Sequence, residues 1–131
     1  MATRSQAREA VVGLLYAYDS GNIDIRKLAK EVLEEKKIRN KQQEFALELF
    51  DGVISKMQFL DDQISKQLKD WELSKLGGME RAILRLGVYE ILFSHTDKPV
   101  VINEAIELAK SYGEEMAPKL INGILDSINK E

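Results

Sequence analysis

The 131-residue chain contains no cysteine, one histidine and two prolines. The lack of cysteine excludes disulfides, thiol nucleophiles and cysteine-ligated zinc sites. The single histidine, His95, has no histidine or cysteine companion for binding a metal ion, so we expect neither a metal site nor a cofactor. Because proline interrupts helices, having it only at Pro99 and Pro118 leaves nearly the whole chain free to be helical.

Long apolar runs and a large excess of charge of one sign are also missing. No apolar run approaches the roughly 20 residues that a membrane-spanning helix needs, and the N-terminus lacks the apolar stretch of a signal peptide. We therefore expect a cytoplasmic protein that does not enter a membrane. The 19 Lys and Arg residues against 22 Asp and Glu give a formal net charge of −3. A net negative chain has no general attraction for phosphate, so any nucleic-acid site must be a local patch.

The hydrophobic pattern predicts helices throughout. Apolar residues recur at the helical period, and no segment alternates convincingly at the period of a strand. The length suits one domain over residues 1–131, and a hydrophobic content of 44% is typical of globular proteins. We predict an all-α fold of about seven helices, arranged as two sub-bundles packed around a buried central helix.

In the N-terminal half, three helical patterns follow one another. The first runs from Arg4 to Asp19 and ends at a Ser-Gly-Asn turn. Asp24 is predicted to cap the second helix. The third pattern extends from Asn40 to Leu68, and its length predicts a break at which Asp61 or Asp62 caps a restarted helix.

In the C-terminal half, residues 79–93 are apolar almost all round, which predicts the buried central helix. Residues 95–99 are predicted to form a loop, and the helix that follows is predicted to stop at Gly113. Pro118 suits the first turn of the last helix. The predicted buried face of that helix consists of Ile121, Ile124, Leu125 and Ile128.

Motifs of enzymes are hard to find in this chain. The Gly77-Gly78 pair belongs to neither a GxxxxGK[ST] nor a GxGxxG pattern, and the carboxylates are too scattered to pick out a general acid–base pair. His95 is expected to be a solvent-exposed loop residue with no catalytic role. The sequence therefore predicts a protein that is not an enzyme.

Arginines on otherwise apolar helices are the most informative residues. Arg4 and Arg8 are spaced i, i+4 and so lie on one face of the first helix, and Arg81 and Arg85 repeat this spacing on the central helix. A guanidinium group suits phosphate because it donates two hydrogen bonds at once and stays charged.

The role of the central arginines has two interpretations. Charge on a buried helix is costly unless it is paired or exposed at a groove. Arg81 and Arg85 either pair with nearby carboxylates such as Glu80 and Glu90, which the pattern alone favours, or contact a phosphate ligand.

Several other side chains are candidates for a nucleic-acid site. Tyr16 and Tyr112 can stack on unpaired bases, although packing at a helix edge explains their positions equally well. Lys119 and Asn122 fall in the first turns of the last helix, where free N–H groups favour an anion, or they are simply solvated. Trp71 is predicted to anchor the core rather than to stack on a ligand.

Four blocks of the sequence resemble the NusB family, in the family's order. Residues 78–92, GMERAILRLGVYEIL, are similar to its central-helix signature. Residues 101–113, VINEAIELAKSYG, resemble the next block, and residues 119–126, KLINGILD, resemble the last, in which Gly123 is expected to allow close helix packing. The N-terminal Arg-Glu-Ala and Leu-Tyr of residues 8–16 are similar to the family's opening helix.

The resemblance covers nearly the whole chain and implies a role in transcription antitermination. It implies binding of the boxA element, a single-stranded RNA of ribosomal RNA operons, as a heterodimer with the small-subunit ribosomal protein NusE. It also implies assembly with RNA polymerase to suppress premature, Rho-dependent termination. The implied RNA-binding residues are Arg4, Arg8, Arg85, Tyr112, Lys119 and Asn122. Tyr16 and Glu80 are implied to form the edge that faces the protein partner or the junction between the RNA and that partner.

Other functions and states stay open. The chain is alternatively a protein–protein adaptor with little RNA affinity of its own, or a small helical enzyme such as a mutase. The enzyme would need Arg4, Arg8, Arg81 and Arg85 to converge in a closed pocket. A homodimer through the partner face is also open. The short supply of N-terminal arginines, and Leu120 where some relatives have an aromatic residue, predict weak RNA binding without the partner.

Overall fold

The computed structural model describes residues 1–68 and 72–130, and these form seven α-helices, one short 3-10 turn and no strand. The all-α prediction is therefore confirmed. Trp71, predicted to anchor the core, lies outside the described residues. The helices are α1 (Arg4–Asp19), α2 (Ile25–Glu35), α3 (Asn40–Ser55), α4 (Met57–Ser65), α5 (Gly78–Phe93), α6 (Lys98–Tyr112) and α7 (Ala117–Asp126), with the 3-10 turn at Leu73–Lys75.

Helix α1 begins where a reciprocal cap fixes it. The hydroxyl of Thr3 accepts the backbone N–H of Gln6 at 3.1 Å, and the side-chain oxygen of Gln6 accepts the backbone N–H of Thr3 at 2.8 Å. Such a capping box satisfies two N–H groups that the first turn leaves free. The helix then runs from Arg4 to Asp19, as predicted.

The break in the third helical pattern lies earlier than predicted. Helix α3 ends at Ser55 and α4 begins at Met57, so Lys56 marks the break, and Asp61 and Asp62 lie inside α4. The predicted caps were therefore wrong. The physical reason for Asp61 is that its carboxylate accepts hydrogen bonds from the central helix instead of from the backbone of its own.

Other helix ends show where local signals succeed and fail. Asp24 precedes α2 as predicted, but its side chain makes no capping hydrogen bond. The loop predicted for residues 95–99 is too long, because α6 already begins at Lys98 with Pro99 in its first turn, where a missing N–H costs nothing. Gly113 ends α6, and Pro118 lies in the first turn of α7, as predicted.

Helix α5 is the centre of the molecule. It packs against α1, α3, α4, α6 and α7, and ten of its 16 residues are buried. Helices α1, α2 and α3 pack on one another on one side of it, and α6 and α7 pack together on the other. The four residues predicted to form the buried face of α7 are all buried, although Ile128 lies two residues beyond the end of the helix. Two sub-bundles therefore share one buried helix, as predicted.

Close packing of α7 on α5 depends on a different glycine from the one expected. Nothing lies within 4 Å of the position that a Cβ atom on Gly123 would take, so the expectation for Gly123 was wrong. At Gly87 of α5, an added Cβ would lie 2.9 Å from Cδ1 of Leu125. That distance is too short for two carbon atoms, so the absent side chain at Gly87 is what lets α7 approach.

The helices of the described residues are too short or too polar to cross a membrane.

Candidate RNA and partner interface

Arg8 lies inside the molecule and not on an RNA-facing surface. It is 4% exposed, and its Nε and Nη2 atoms donate to the two carboxylate oxygens of Glu90 at 2.8 and 2.9 Å. Its Nη1 donates to Glu104 at 2.8 Å, and Ser5 donates to the same carboxylate at 2.6 Å. Burial lowers the pKa of Arg8, but the hydrogen bonds and charges of these two glutamates outweigh it and leave the pKa raised. The expectation that Arg8 presents an exposed cation was therefore wrong.

Arg85 is likewise held in an internal ion pair. It is 7% exposed, and its Nε and Nη2 atoms donate to the carboxylate of Asp61 at 2.7 and 3.0 Å. Asp19, at the end of α1, lies 3.3 Å from Nη1 of Arg85 and accepts from Nε of Arg81 at 2.8 Å. Both central arginines thus form ion pairs, the interpretation that the pattern favoured. Their partners come from α1 and α4, and not from Glu80 or Glu90, as had been suggested.

The four arginines of the proposed mutase do not converge on one pocket. Arg8 forms one ion-pair cluster with α5 and α6, and Arg81 and Arg85 form another with α1 and α4. Carboxylates of the chain itself neutralise the arginines of both clusters, so neither cluster has a free positive charge to clamp a dicarboxylate. Among the described residues, no group of three or more histidine, aspartate or glutamate side chains is placed to hold a metal ion.

The Asp19 cluster makes stability depend on pH. Burial alone would raise the pKa of Asp19, but the hydrogen bonds and charges of Arg81 and Arg85 hold it below its ordinary value. A carboxylate with a lowered pKa stabilises the fold above its unfolded pKa of about 3.9 and loses that contribution as the pH falls toward the folded value. We expect Asp19→Asn to lower the free energy of unfolding by roughly 1.5–3 kcal/mol at pH 7, and by less below pH of about 4.

Urea unfolding of the parent and of Asp19→Asn at pH 7, 4 and 3 measures this difference. Asp97→Asn is the matched control, because Asp97 forms no salt bridge with the described residues. A difference between the parent and Asp19→Asn that stays constant from pH 7 to pH 3 would contradict the assignment.

Arg4 is the one arginine that pairs with no carboxylate of the described residues. Its guanidinium lies over the ring of Phe45, 4.6 Å from the centroid. A cation–π contact positions the group without neutralising it, so Arg4 keeps its full charge for an anionic ligand. Salt bridges are formed by the other five arginines, Arg8, Arg26, Arg39, Arg81 and Arg85.

Tyr16 and Glu80 meet where α1 ends and α5 begins. The ring of Tyr16 covers Gly78 so closely that a Cβ atom there would lie 2.6 Å from a ring carbon. Glu80 is buried two residues further along α5, where it accepts the backbone N–H of Glu114 at 3.3 Å. The two residues predicted to face a protein partner thus pack against consecutive glycines, Glu80 against Gly77 and Tyr16 against Gly78, but only Tyr16 is exposed.

Tyr112 lies on the same side of the molecule. A hydrogen-bonding interaction with the Glu9 carboxylate raises the pKa of the Tyr112 phenol. Glu9 and Tyr16 are two helical turns apart on α1, so they share one face of that helix. Both tyrosines are about half exposed, which leaves ring surface free for a ligand.

Lys119 and Asn122 complete this side from α7. They are exposed and spaced i, i+3, which puts them on one face of the helix. Lys119 also lines a groove of 370 Å³ between α7 and the start of α5, which Glu80 lines from the other side. We call Tyr16, Tyr112, Lys119 and Asn122, together with the groove beside them, the tyrosine edge.

Arg4 does not belong to the tyrosine edge. It precedes Tyr16 by twelve residues of α1, which corresponds to about 18 Å along the helix and about 120° around it. Of the implied site residues, the structure thus brings together Tyr16, Glu80, Tyr112, Lys119 and Asn122, isolates Arg4, and buries Arg8 and Arg85.

The sequence patterns did not identify several residues of the groove, among them Lys75, Glu114 and Met116. Glu114 and Met116 line it beside Lys119, and Met116 is largely exposed just before α7 begins. The only available signal was an apolar residue standing outside any helical stripe, between two glutamates and Pro118. A partner that covers this groove would bury the Met116 side chain.

Known proteins are similar to this chain in sequence and in fold. The chain matches the model of the NusB family over residues 5–130. It is 59% identical over 131 residues to the transcription antitermination protein NusB of Wolinella succinogenes. The alignment covers 100% of this chain and 97% of that relative.

Two solved structures are similar in fold. The fold matches T. maritima NusB with a TM-score of 0.90 and 36% identity, covering 97% of this chain and 90% of that one. It also matches a chain in the crystal structure of the antitermination factors NusB and NusE in complex with double-stranded RNA. There the TM-score is 0.85 and the identity 35%, over 95% of this chain and 94% of the other. With family, relative and fold in agreement over nearly its full length, the chain belongs to the NusB family of transcription antitermination proteins.

Proposed function

We propose that this antitermination factor binds boxA-type single-stranded RNA of ribosomal RNA operons as a heterodimer with the ribosomal protein NusE. In this proposal the whole chain is one cytoplasmic RNA-binding domain that joins the RNA polymerase complex and suppresses premature, Rho-dependent termination. The family is one of transcription antitermination proteins and not of enzymes. A related structure that contains NusB, NusE and double-stranded RNA supports association with NusE and with RNA.

The tyrosine edge is the observation that carries the proposal. Two half-exposed phenol rings, Tyr16 and Tyr112, offer stacking surfaces for unpaired bases, which is the usual way in which proteins recognise single-stranded RNA. Lys119 supplies a cation for the backbone, and Asn122 supplies an amide that hydrogen-bonds base edges. Phosphate contacts then hold the strand in position, and base contacts supply specificity.

Carboxylates beside the edge explain why a partner is needed. Glu9 interacts with Tyr112, and Glu80 and Glu114 line the groove next to Lys119. These three carboxylates outnumber the two lysines that line the groove, Lys75 and Lys119, and the excess negative charge opposes phosphate, so the edge by itself binds RNA weakly. We place NusE against Tyr16 and the groove that the buried Glu80 lines, from where its own contacts strengthen binding of the strand.

Arg4 adds a further phosphate contact, because its charge is not neutralised. Arg8 and Arg85 do not contact RNA in this proposal. They are positioning residues, because their ion pairs hold α1, α4 and α6 on the central helix.

An RNA titration with and without purified NusE tests the proposal. We expect weak binding of boxA RNA by the chain alone and markedly tighter binding by the heterodimer. Lys119→Gln should weaken heterodimer binding several-fold and reduce the log–log salt slope by about 0.7, the value for one phosphate contact on a single strand. Lys30→Gln, an exposed lysine of α2, is the matched control.

The titration also separates the proposal from the adaptor function. Negligible RNA binding both with and without NusE would favour an adaptor that acts through protein contacts alone. An unchanged affinity and salt slope in Lys119→Gln would remove Lys119 from the site. Self-association through the tyrosine edge would appear in sedimentation as a dimer that NusE dissociates.

A further inference from the structure

A second exposed aromatic cluster lies away from the tyrosine edge. A groove of 500 Å³ runs between the start of α1, the middle of α3 and the end of α5, and is lined by Arg4, Phe45, Glu48, Tyr89, Phe93 and His95. Phe93 is 43% exposed, and its ring lies 5.6 Å from that of Tyr89 and 5.8 Å from that of Phe59, which is 45% exposed. We call this cluster the aromatic groove.

Two cations form cation–π contacts with rings of the aromatic groove. Arg4 lies over Phe45, and Nζ of Lys56 lies 4.6 Å from the centroid of Phe93. Neither cation forms a salt bridge with a described residue. Lys130 adds a third positive charge, since its Nζ donates to the carbonyl of Ser94 at 2.9 Å. In a protein of net charge −3, this groove gathers three cations around one lining carboxylate, Glu48.

The lining suits unpaired nucleotides better than an apolar helix. A groove for an amphipathic helix presents mainly apolar side chains, whereas Glu48, Ser94, His95 and Thr96 line this one with polar groups. Exposed rings with cations beside them are the combination by which proteins hold single strands: bases stack on the rings and phosphates meet the cations.

We propose that the aromatic groove binds unpaired nucleotides of the same transcript, adjacent to the segment at the tyrosine edge. One or two bases stack on Phe93 and Phe59, and Arg4 and Lys56 meet the flanking phosphates. This inference rests on the proposed function and extends it, since Arg4 lines this groove and lies about 18 Å along α1 from Tyr16. The heterodimer then contacts a longer stretch of RNA than the boxA element alone.

Fluorescence anisotropy of the heterodimer with NusE tests the inference. The probes are boxA RNA and the same RNA with six uridines added at the 5′ or the 3′ end. We expect one extension to tighten binding about tenfold, as stacking of one base predicts. Phe93→Leu, which keeps an apolar side chain but removes the ring, should abolish this gain and leave binding of unextended boxA RNA unchanged.

Matched variants distinguish the loss of a groove contact from the loss of any exposed charge or apolar side chain. Lys56→Gln should reduce the salt slope for the extended RNA only, by about 0.7. Lys30→Gln and Leu28→Ala, which change an exposed lysine and an exposed apolar residue of α2, should keep the full gain. Circular dichroism of each variant checks that the helices are intact.

Three results would overturn the inference. They are no gain from either extension, a Phe93→Leu variant that weakens both probes equally, and a Phe93→Leu variant that weakens NusE binding without RNA, which would make the groove a protein-docking surface. If boxA RNA is not bound even with NusE, the proposed function fails, and a uridine 12-mer then probes the groove alone. Binding of the 12-mer that Phe93→Leu abolishes supports the groove, and absence of binding rejects it.

Discussion

Replacing Arg8 by alanine is expected to lower the free energy of unfolding by about 3–5 kcal/mol, because the change leaves a buried carboxylate without its partner. Glu90 is almost fully buried and receives two hydrogen bonds from Arg8. Without the guanidinium it must either remain charged in a site of low dielectric or take up a proton, and both are costly. Urea unfolding at pH 7 measures the loss.

Arg26→Ala is the matched control for this variant. Arg26 also forms a two-point ion pair with a carboxylate, that of Asp51, but both side chains are about half exposed. Exposed pairs contribute about 0–1 kcal/mol, so the two alanine variants should differ by several kcal/mol. A similar loss of unfolding free energy in both variants would mean that burial adds little to the stabilisation by the Arg8 ion pair. RNA binding by Arg8→Ala must be measured where the variant is still folded, since unfolding alone would abolish it.

Phe50→Ala is expected to lower the free energy of unfolding by about 3–5 kcal/mol. Phe50 is 1% exposed and is among the largest fully buried side chains of the described residues. Truncation removes its transfer free energy and also leaves a cavity where α3 packs on its neighbours. Calorimetric or urea unfolding of the purified variant measures the change.

Phe59→Ala provides the comparison on α4. This ring is about half exposed, so its removal forms no closed cavity and should cost much less than that of Phe50. If the Phe59 variant were destabilised as strongly, its ring would be part of the core and not a surface for bases. The same pair of variants therefore also tests whether the Phe59 ring is a surface of the aromatic groove on which a base can stack.

Periodicity predicted the helices well because it reports which residues are buried. The bounds of α1 followed from its apolar stripe and the Ser-Gly-Asn turn after it, and the wide apolar surface of residues 79–93 identified the central helix. A break in the third pattern was predicted, but its position at Lys56 was not, because the apolar pattern continues through it and the candidate cap Asp61 instead forms a tertiary contact.

Ion pairs were less predictable because their partners are far apart in sequence. The i, i+4 spacing correctly places Arg4 and Arg8 near one another on α1, and both lie over the ring of Phe45. It does not say that Arg8 points inward. Its partner Glu90 is 82 residues away, and no local pattern connects the two. The tyrosine edge was better anticipated, since its members came from the family resemblance and lie near helix ends.

The pairing of Arg8 has a consequence for biosynthesis. A ribosome makes α1 first, but the two glutamates that satisfy Arg8 come 82 and 96 residues later. At roughly 5–20 residues per second, the guanidinium waits several seconds before either carboxylate exists. Until then the nascent helix gains nothing by burying that charge, so α1 does not adopt its native packing while the N-terminal half leaves the exit tunnel. Native packing of α1 is therefore a late event, completed once the α5 and α6 segments have emerged.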